Sequence, residues 1–117
     1  MTGEVPARAR EIAVRLSALF ERDVKLVKRL NDAQRRLLGA NEQVWSGAHP
    51  DAIRRAFIDY QHASEARRQL AVDVGELSQQ LIEVLCASGF TEQAARSADV
   101  HELAATGVML GAWERSR

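Results

Sequence analysis

The sequence has little cysteine, little proline, few aromatic residues and no long hydrophobic run. Its one cysteine, Cys86, excludes an internal disulfide and a zinc site built from cysteines. No stretch approaches the roughly 18 consecutive apolar residues of a membrane span. The first residues also lack the apolar segment of a secretory signal peptide. We therefore expect a cytoplasmic protein that has no association with membranes.

The chain also has no excess of charge of one sign. Its 16 Lys and Arg residues balance 16 Asp and Glu residues, so the formal net charge is zero. Neutrality disfavours non-specific binding of nucleic acid, which depends on a basic excess. Residues 1–58 nevertheless carry 11 basic and 7 acidic side chains, whereas residues 59–117 carry 5 and 9. This asymmetry favours pairing of the two halves or head-to-tail association of copies.

The composition predicts one all-α domain. The chain has 117 residues, of which 46% are hydrophobic, which is typical of a single folded domain. Good helix formers such as Ala, Leu, Arg, Glu and Gln dominate, and no Asn-Gly or Asp-Gly hairpin turn occurs.

Two apolar seams with a heptad spacing predict two long helices. Each seam contains one charged residue, Asp23 in the first and Arg67 in the second. The first seam is Ile12, Leu16, Leu19, Asp23, Leu26, Leu30, Ala33, Leu37, Ala40 and Val44. The second seam is Ile53, Ala56, Tyr60, Ala63, Arg67, Leu70, Val74, Leu77, Leu81 and Val84. The short link between the seams predicts an antiparallel hairpin.

Further apolar residues lie beside the seams, so the apolar stripe along each helix is wider than one partner helix can cover. We predict that these residues, with Trp113 near the C-terminus, contact a second copy or another protein. They are Phe20, Val27, Phe57, Leu85 and Trp113. The fold class that follows is a long antiparallel helical hairpin with a short helical C-terminal segment, which forms a four-helix bundle on dimerisation.

The predicted organisation has three parts. Residues 1–6 form an N-terminal tail, residues 7–89 form the hairpin with its turn at 45–50, and residues 90–117 form a C-terminal helical segment and tail. Pro50 is placed to begin the second helix and Gly89 to end it. Thr91 and Asp99 are placed to cap two short helices, the second of which ends at Gly107. We expect this segment to dock on the hairpin; the alternative is that it binds a partner.

The two charged seam residues are predicted to determine register or partner choice, because buried polar groups in such seams often do. With Val44 opposite Ile53, Asp23 would face Val74. On this register Asp23 and Arg67 do not meet. The alternative for Arg67 is that its side chain extends into solvent.

No arrangement of residues indicates catalysis or cofactor binding, so we predict no enzyme activity, no catalytic residue, no metal and no cofactor. Asp59 and His62 share a helical face, but the first helix has no histidine to complete a metal site. Gly75 is predicted to permit a close helix–helix approach. We expect Cys86 to be a buried, unreactive thiol, since no histidine lies near it in the sequence.

The triplet Trp45-Ser46-Gly47 lies in the predicted turn between two long helices. In this it resembles the WXG100 (ESAT-6-like) family of small helical hairpins. The resemblance covers about residues 7–89 and implies that Trp45 and Gly47 shape the turn. It also implies a dimer exported by type VII secretion. The family's export signal, Tyr-x-x-x-Asp/Glu after the second helix, is not present, since Tyr60 is followed four residues later by Ser64.

These patterns predict a non-enzymatic helical-hairpin module for protein–protein interaction, which acts as a scaffold, adaptor or chaperone-like subunit and self-associates as a dimer. A first alternative is a nucleic-acid-binding accessory or regulatory protein that uses arginine pairs on a dimer surface. These pairs are Arg35-Arg36, Arg54-Arg55 and Arg67-Arg68. A second alternative is a secreted hairpin of the WXG100 type.

Overall fold

The computed structural model describes residues 4–45 and 50–109, except for the side chains of residues 40–45. The described residues form helices α1 (Ala7–Trp45), α2 (Pro50–Ala87), α3 (Glu92–Arg96) and α4 (Val100–Thr106). They contain no strand, only an isolated antiparallel bridge between Glu4 and Val108. Helices α1 and α2 pack together as a helical hairpin, which confirms the prediction of an all-α hairpin.

The chain divides into two compact units, each containing part of α1 and part of α2. The terminal unit comprises Met1–Phe20 and Val72–Arg117, and the central unit comprises Glu21–Ala71.

The core of the terminal unit joins the two long helices to the C-terminal segment. Its largest fully buried side chains are Leu16 from α1, Leu85 from α2 and Leu103 from α4. The complete set of buried core residues is Ala9, Ile12, Ala13, Leu16, Leu81, Leu85, Ala95, Leu103 and Met109. The predicted docking of the C-terminal segment is thus confirmed as far as Met109.

The end of α2 has the hydrogen bonds of a Schellman motif. Gly89 adopts a φ of 104°, and its N–H donates to the Cys86 carbonyl at 3.1 Å. The Phe90 N–H donates to the Leu85 carbonyl at 3.2 Å. Glycine favours this left-handed conformation because it has no Cβ, so the predicted helix end is confirmed. The predicted burial of Cys86 is wrong: its side chain is exposed, since it follows Leu85 by about 100° around the helix and points away from the core.

The two short helices begin at the predicted caps. The Thr91 hydroxyl accepts from the Ala94 N–H at 3.1 Å, and the Asp99 carboxylate accepts from the Glu102 N–H at 3.2 Å. Each cap satisfies an N–H that has no partner within its helix. Helix α4 ends at Thr106, and the next residue, Gly107, has a φ of 70°.

The end of α4 is also held by the N-terminal part of the chain. Arg10 on α1 donates from Nε to the Ala104 carbonyl at 3.2 Å and from Nη2 to the Ala105 carbonyl at 3.0 Å. The Val5 N–H donates to the Gly107 carbonyl at 3.2 Å. Arg10 therefore caps carbonyls that have no partner within α4 and brings a positive charge to the negative end of that helix.

The core of the central unit consists of seam residues from both long helices. Its buried side chains are Leu26, Ala33, Ala56, Ala63 and Leu70. All five were predicted from the heptad spacing. Three are alanines, so little side-chain volume separates the helices at these positions. Gly75 lies in the part of α2 that belongs to the terminal unit, and no neighbouring atom lies within 4 Å of a Cβ built on it. The predicted close approach at this glycine is therefore wrong.

Candidate interaction surface

The two charged seam residues form an ion pair within the central unit. Arg67 Nε lies 2.8 Å from Asp23 Oδ1, and Arg67 Nη2 lies 3.2 Å from Asp23 Oδ2. The prediction that Asp23 and Arg67 do not meet is therefore wrong. Arg67 lies seven residues from Val74, the predicted neighbour of Asp23. Because the seam repeats every seven residues, its apolar pattern is compatible with both pairings and does not distinguish them.

This ion pair is only partly withdrawn from solvent, with both side chains partly exposed. The guanidinium meets both carboxylate oxygens, which is the geometry with the strongest directional preference for arginine. The hydrogen bond to Asp23, together with its negative charge, raises the pKa of Arg67 from its ordinary value. Arg67 is therefore positively charged at neutral pH.

A second ion pair lies on the opposite side of the same two helices. Arg36 Nη2 contacts Asp59 Oδ2 at 2.9 Å. Arg36 follows Asp23 by 13 residues, which at 3.6 residues per turn places it nearly opposite on α1. Asp59 is thus engaged by an arginine. Residues 4–45 and 50–109 contain no group of three or more His, Cys, Asp or Glu side chains that could hold a metal ion.

An uncharged surface borders the Asp23–Arg67 pair. On α1, five residues in steps of three and four share one side of the helix: Val24, Val27, Asn31, Gln34 and Leu38. On α2, three residues at intervals of seven share one side: Phe57, Ser64 and Ala71. Val27 lies one turn from Asp23, and Ser64 lies one turn from Arg67, so both rows lie on the same side of the helix pair. We call these eight residues the uncharged face. The charged Arg68 also lies on this side of α2, between Ser64 and Ala71, and pairs with Glu65 at 3.2 Å.

Large apolar side chains of the uncharged face are accessible to solvent. Val24 is 70% exposed, Leu38 is 65% exposed and Phe57 is 51% exposed. Isolated apolar residues are common on protein surfaces, but a group on one side of two packed helices is typical of a contact surface.

The other side of the central unit is charged. On α1, Arg22, Lys25 and Arg29 lie on the same side as Arg36. Within the part of the chain that the structure describes, Arg22, Lys25 and Arg29 form no ion pair. We call Arg22, Lys25, Arg29 and Arg36 the basic row. The two sides of the central unit therefore differ: the charges beside the uncharged face are paired, whereas the basic row contains cations that are unpaired among the described residues.

The predicted interface residues fall in different environments. Leu85 is fully buried in the core of the terminal unit, so its prediction as an interface residue is wrong. The stripe beside the second seam is covered at Leu85 by the chain's own C-terminal segment, which the spacing of α2 alone does not reveal. Phe20 is half-buried against the same core. Val27 is half-buried and Phe57 exposed, and both belong to the uncharged face. Trp113 lies outside the described residues.

The predicted turn is described only at its edges. Trp45 is the last residue of α1, and its side chain lies outside the described part of the chain. Pro50 is exposed and is the first residue of α2, as predicted. Gly47 lies outside the described residues, so the roles of Trp45 and Gly47 in the turn stay predictions.

One polar contact of the terminal unit has no signal in the sequence. The Ser17 hydroxyl lies 2.7 Å from His101 Nδ1, and the rings of Phe20 and His101 have their centroids 5.9 Å apart. Ser17 and His101 are 84 residues apart in the chain, so no local spacing relates them. The contact connects the exposed first turn of α4 to α1 and adds a polar component to the docking of the C-terminal segment.

Comparison of the chain with protein-family models, with curated proteins and with solved structures finds no match. The resemblance to the WXG100 family therefore stays a prediction. Over the residues described, none of the helices has both the length and the apolar character that a membrane crossing needs.

Proposed function

We propose that this chain is a helical-hairpin module for protein–protein interaction that self-associates and acts as a scaffold, adaptor or chaperone-like subunit. The observation that carries the proposal is the uncharged face, on which Val24, Leu38 and Phe57 are at least half exposed. An apolar group of this kind lowers the free energy of a complex when it is removed from water.

The size of this effect supports an interaction function. Complete burial of a Leu or Phe side chain from the fully exposed state contributes about 1.5–3 kcal/mol. About half of that contribution is still available at Phe57, which is 51% exposed, and about two thirds at Leu38, which is 65% exposed. Several such residues together offset much of the entropy that association costs. Packing of a second helix pair on the first gives the four-helix bundle predicted from the width of the seams.

Sedimentation velocity over a range of protein concentrations tests this proposal. We expect the sedimentation coefficient to increase with concentration in the micromolar range and to reach the value of a dimer. A coefficient that stays at the monomer value up to about 100 µM, a concentration at which even a weak complex of about 10 µM affinity is mostly formed, contradicts self-association.

The basic row supports a second candidate function, the binding of nucleic acid. Of the three arginine pairs predicted to bind, Arg36, Arg67 and Arg68 each contact a carboxylate. Arg22, Lys25 and Arg29 remain available for phosphate groups. The test is the anisotropy of a fluorescent DNA duplex at several salt concentrations. Binding through three or four phosphates weakens with a slope of about −3 in a plot of log affinity against log salt. No binding at low salt contradicts this candidate.

A further inference from the structure

We propose that the occupant of the uncharged face is the same face of a second copy of this chain, in a contact with twofold symmetry. The inference rests on the proposed function, because it assigns the surface through which the module self-associates. A twofold contact brings each surface patch against itself, so the patch must be complementary to its own copy.

The distribution of charge selects this face for a contact between copies. Its eight residues carry no charge. Asp23 and Arg67 at its border neutralise each other at 2.8 and 3.2 Å, and Arg68, which lies beside it on α2, pairs with Glu65 at 3.2 Å. Two copies of the face can therefore meet while these charges are already paired within each copy.

The opposite side of the central unit does not meet this condition. There, Arg22, Lys25 and Arg29 lie within about two turns of α1 and form no ion pair with a described carboxylate. A twofold contact on that side would place positive charges near their own copies, and like charges at an interface oppose association.

The dimensions of the face are compatible with a weak but specific dimer. The 14 residues from Val24 to Leu38 span about 21 Å at 1.5 Å per residue. Two packed helices are about 20 Å wide when their axes are 8–10 Å apart. Such a contact buries about 400 Å² on each copy, or about 800 Å² in total, which is the size of a weak, transient interface. We therefore expect a dissociation constant in the micromolar range or weaker.

Two neighbouring residues on α2 provide a matched test. Phe57 lies on the uncharged face, whereas Ile58 lies about 100° further around α2 and points away from it. Both side chains are apolar, and Ile58 is 41% exposed. Phe57→Glu and Ile58→Glu therefore add the same charge to the same helix, at positions of similar exposure. Circular dichroism verifies that each variant keeps its helices before the mass is measured.

Sedimentation equilibrium then compares the wild-type chain with both variants. We expect Phe57→Glu to raise the dissociation constant of the dimer at least about tenfold, and Ile58→Glu to change it less than about twofold. If Phe57→Glu does not fold, Leu38→Glu on α1 replaces it, since this side chain is even more exposed.

The outcomes separate this inference from the proposed function. A wild-type chain that is monomeric throughout overturns both. A wild-type dimer that Phe57→Glu or Leu38→Glu leaves intact overturns only the inference, because the copies then associate through another surface. A dimer that Ile58→Glu weakens as strongly as Phe57→Glu also overturns only the inference, because the contact then lies outside the uncharged face.

Discussion

Arg67 Nε lies 2.8 Å from Asp23 Oδ1, and Arg67 Nη2 lies 3.2 Å from Asp23 Oδ2, across the two long helices of the central unit. Each residue is the one charged member of its apolar seam. The bidentate contact constrains both the separation and the direction of the two side chains. It therefore favours one alignment of α1 and α2 over alignments that differ by a heptad and leave the apolar seam equally well paired.

A double-mutant cycle tests this ion pair. We expect Asp23→Asn and Arg67→Gln each to lower the thermal midpoint of unfolding, and the double variant to lower it by less than the sum. The reason is that either single change leaves a charge without its partner. Because folding raises the pKa of Arg67, its ion pair contributes fully to the free energy of unfolding at any pH below the pKa of this arginine in the unfolded chain. That contribution is lost only as the pH rises through the higher pKa of the folded state. The non-additivity should thus be the same at pH 7 and pH 9.

The control for this cycle is the pair Glu65 and Arg68, whose side chains lie within one turn of α2 and are largely exposed. The changes Glu65→Gln and Arg68→Gln should alter the midpoint little and additively, as is usual for surface pairs. Additive effects at Asp23 and Arg67 as well would show that their contact contributes nothing to the alignment of the helices.

Gly75→Ala is expected to stabilise the protein by about 0.5–1 kcal/mol. Gly75 lies inside α2, is exposed, and has no atom within 4 Å of the added Cβ, so only the higher helix propensity of alanine acts. Urea unfolding followed by circular dichroism measures the change. Gly107→Ala is the matched comparison, with a φ of 70° and an added Cβ that would lie 3.3 Å from Arg10 Cδ. We expect it to destabilise by about 1 kcal/mol or more. A loss of stability in Gly75→Ala would mean that a neighbour approaches closely there.

Arg10→Met is expected to loosen the end of α4. The substitution keeps much of the apolar stem but removes the donors to the Ala104 and Ala105 carbonyls. Hydrogen exchange should become faster at the amides of Leu103 and Gly107, which bond within or at the end of α4. Arg8→Met, at an exposed position in the same turn of α1, is the control. Equal exchange rates in the two variants would contradict the capping role of Arg10.

Leu103→Ala is expected to destabilise the protein by about 2–5 kcal/mol, because Leu103 is fully buried where α4 meets the long helices. Urea unfolding measures the effect. Val72→Ala provides the comparison, since Val72 is exposed and its change should stay within about 0.5 kcal/mol. A small effect of Leu103→Ala would mean that the C-terminal segment contributes little to the core.

The sequence by itself determined the features that depend on neighbouring residues. The heptad spacing identified both long helices and the buried residues of the central core, because a helix repeats its faces every three or four residues. Gly89, Thr91, Asp99 and Gly107 marked the helix ends, because caps and left-handed turns have local chemical requirements.

Only the tertiary structure decided the features that depend on residues far apart in the chain. It paired Asp23 with Arg67, brought Ser17 to His101, and buried Leu85 under the C-terminal segment. The physical reason is that helical periodicity states which side of a helix is apolar but not what covers that side. A seam that repeats every seven residues accepts several alignments with similar apolar burial, and specific contacts such as the Asp23–Arg67 ion pair distinguish between them.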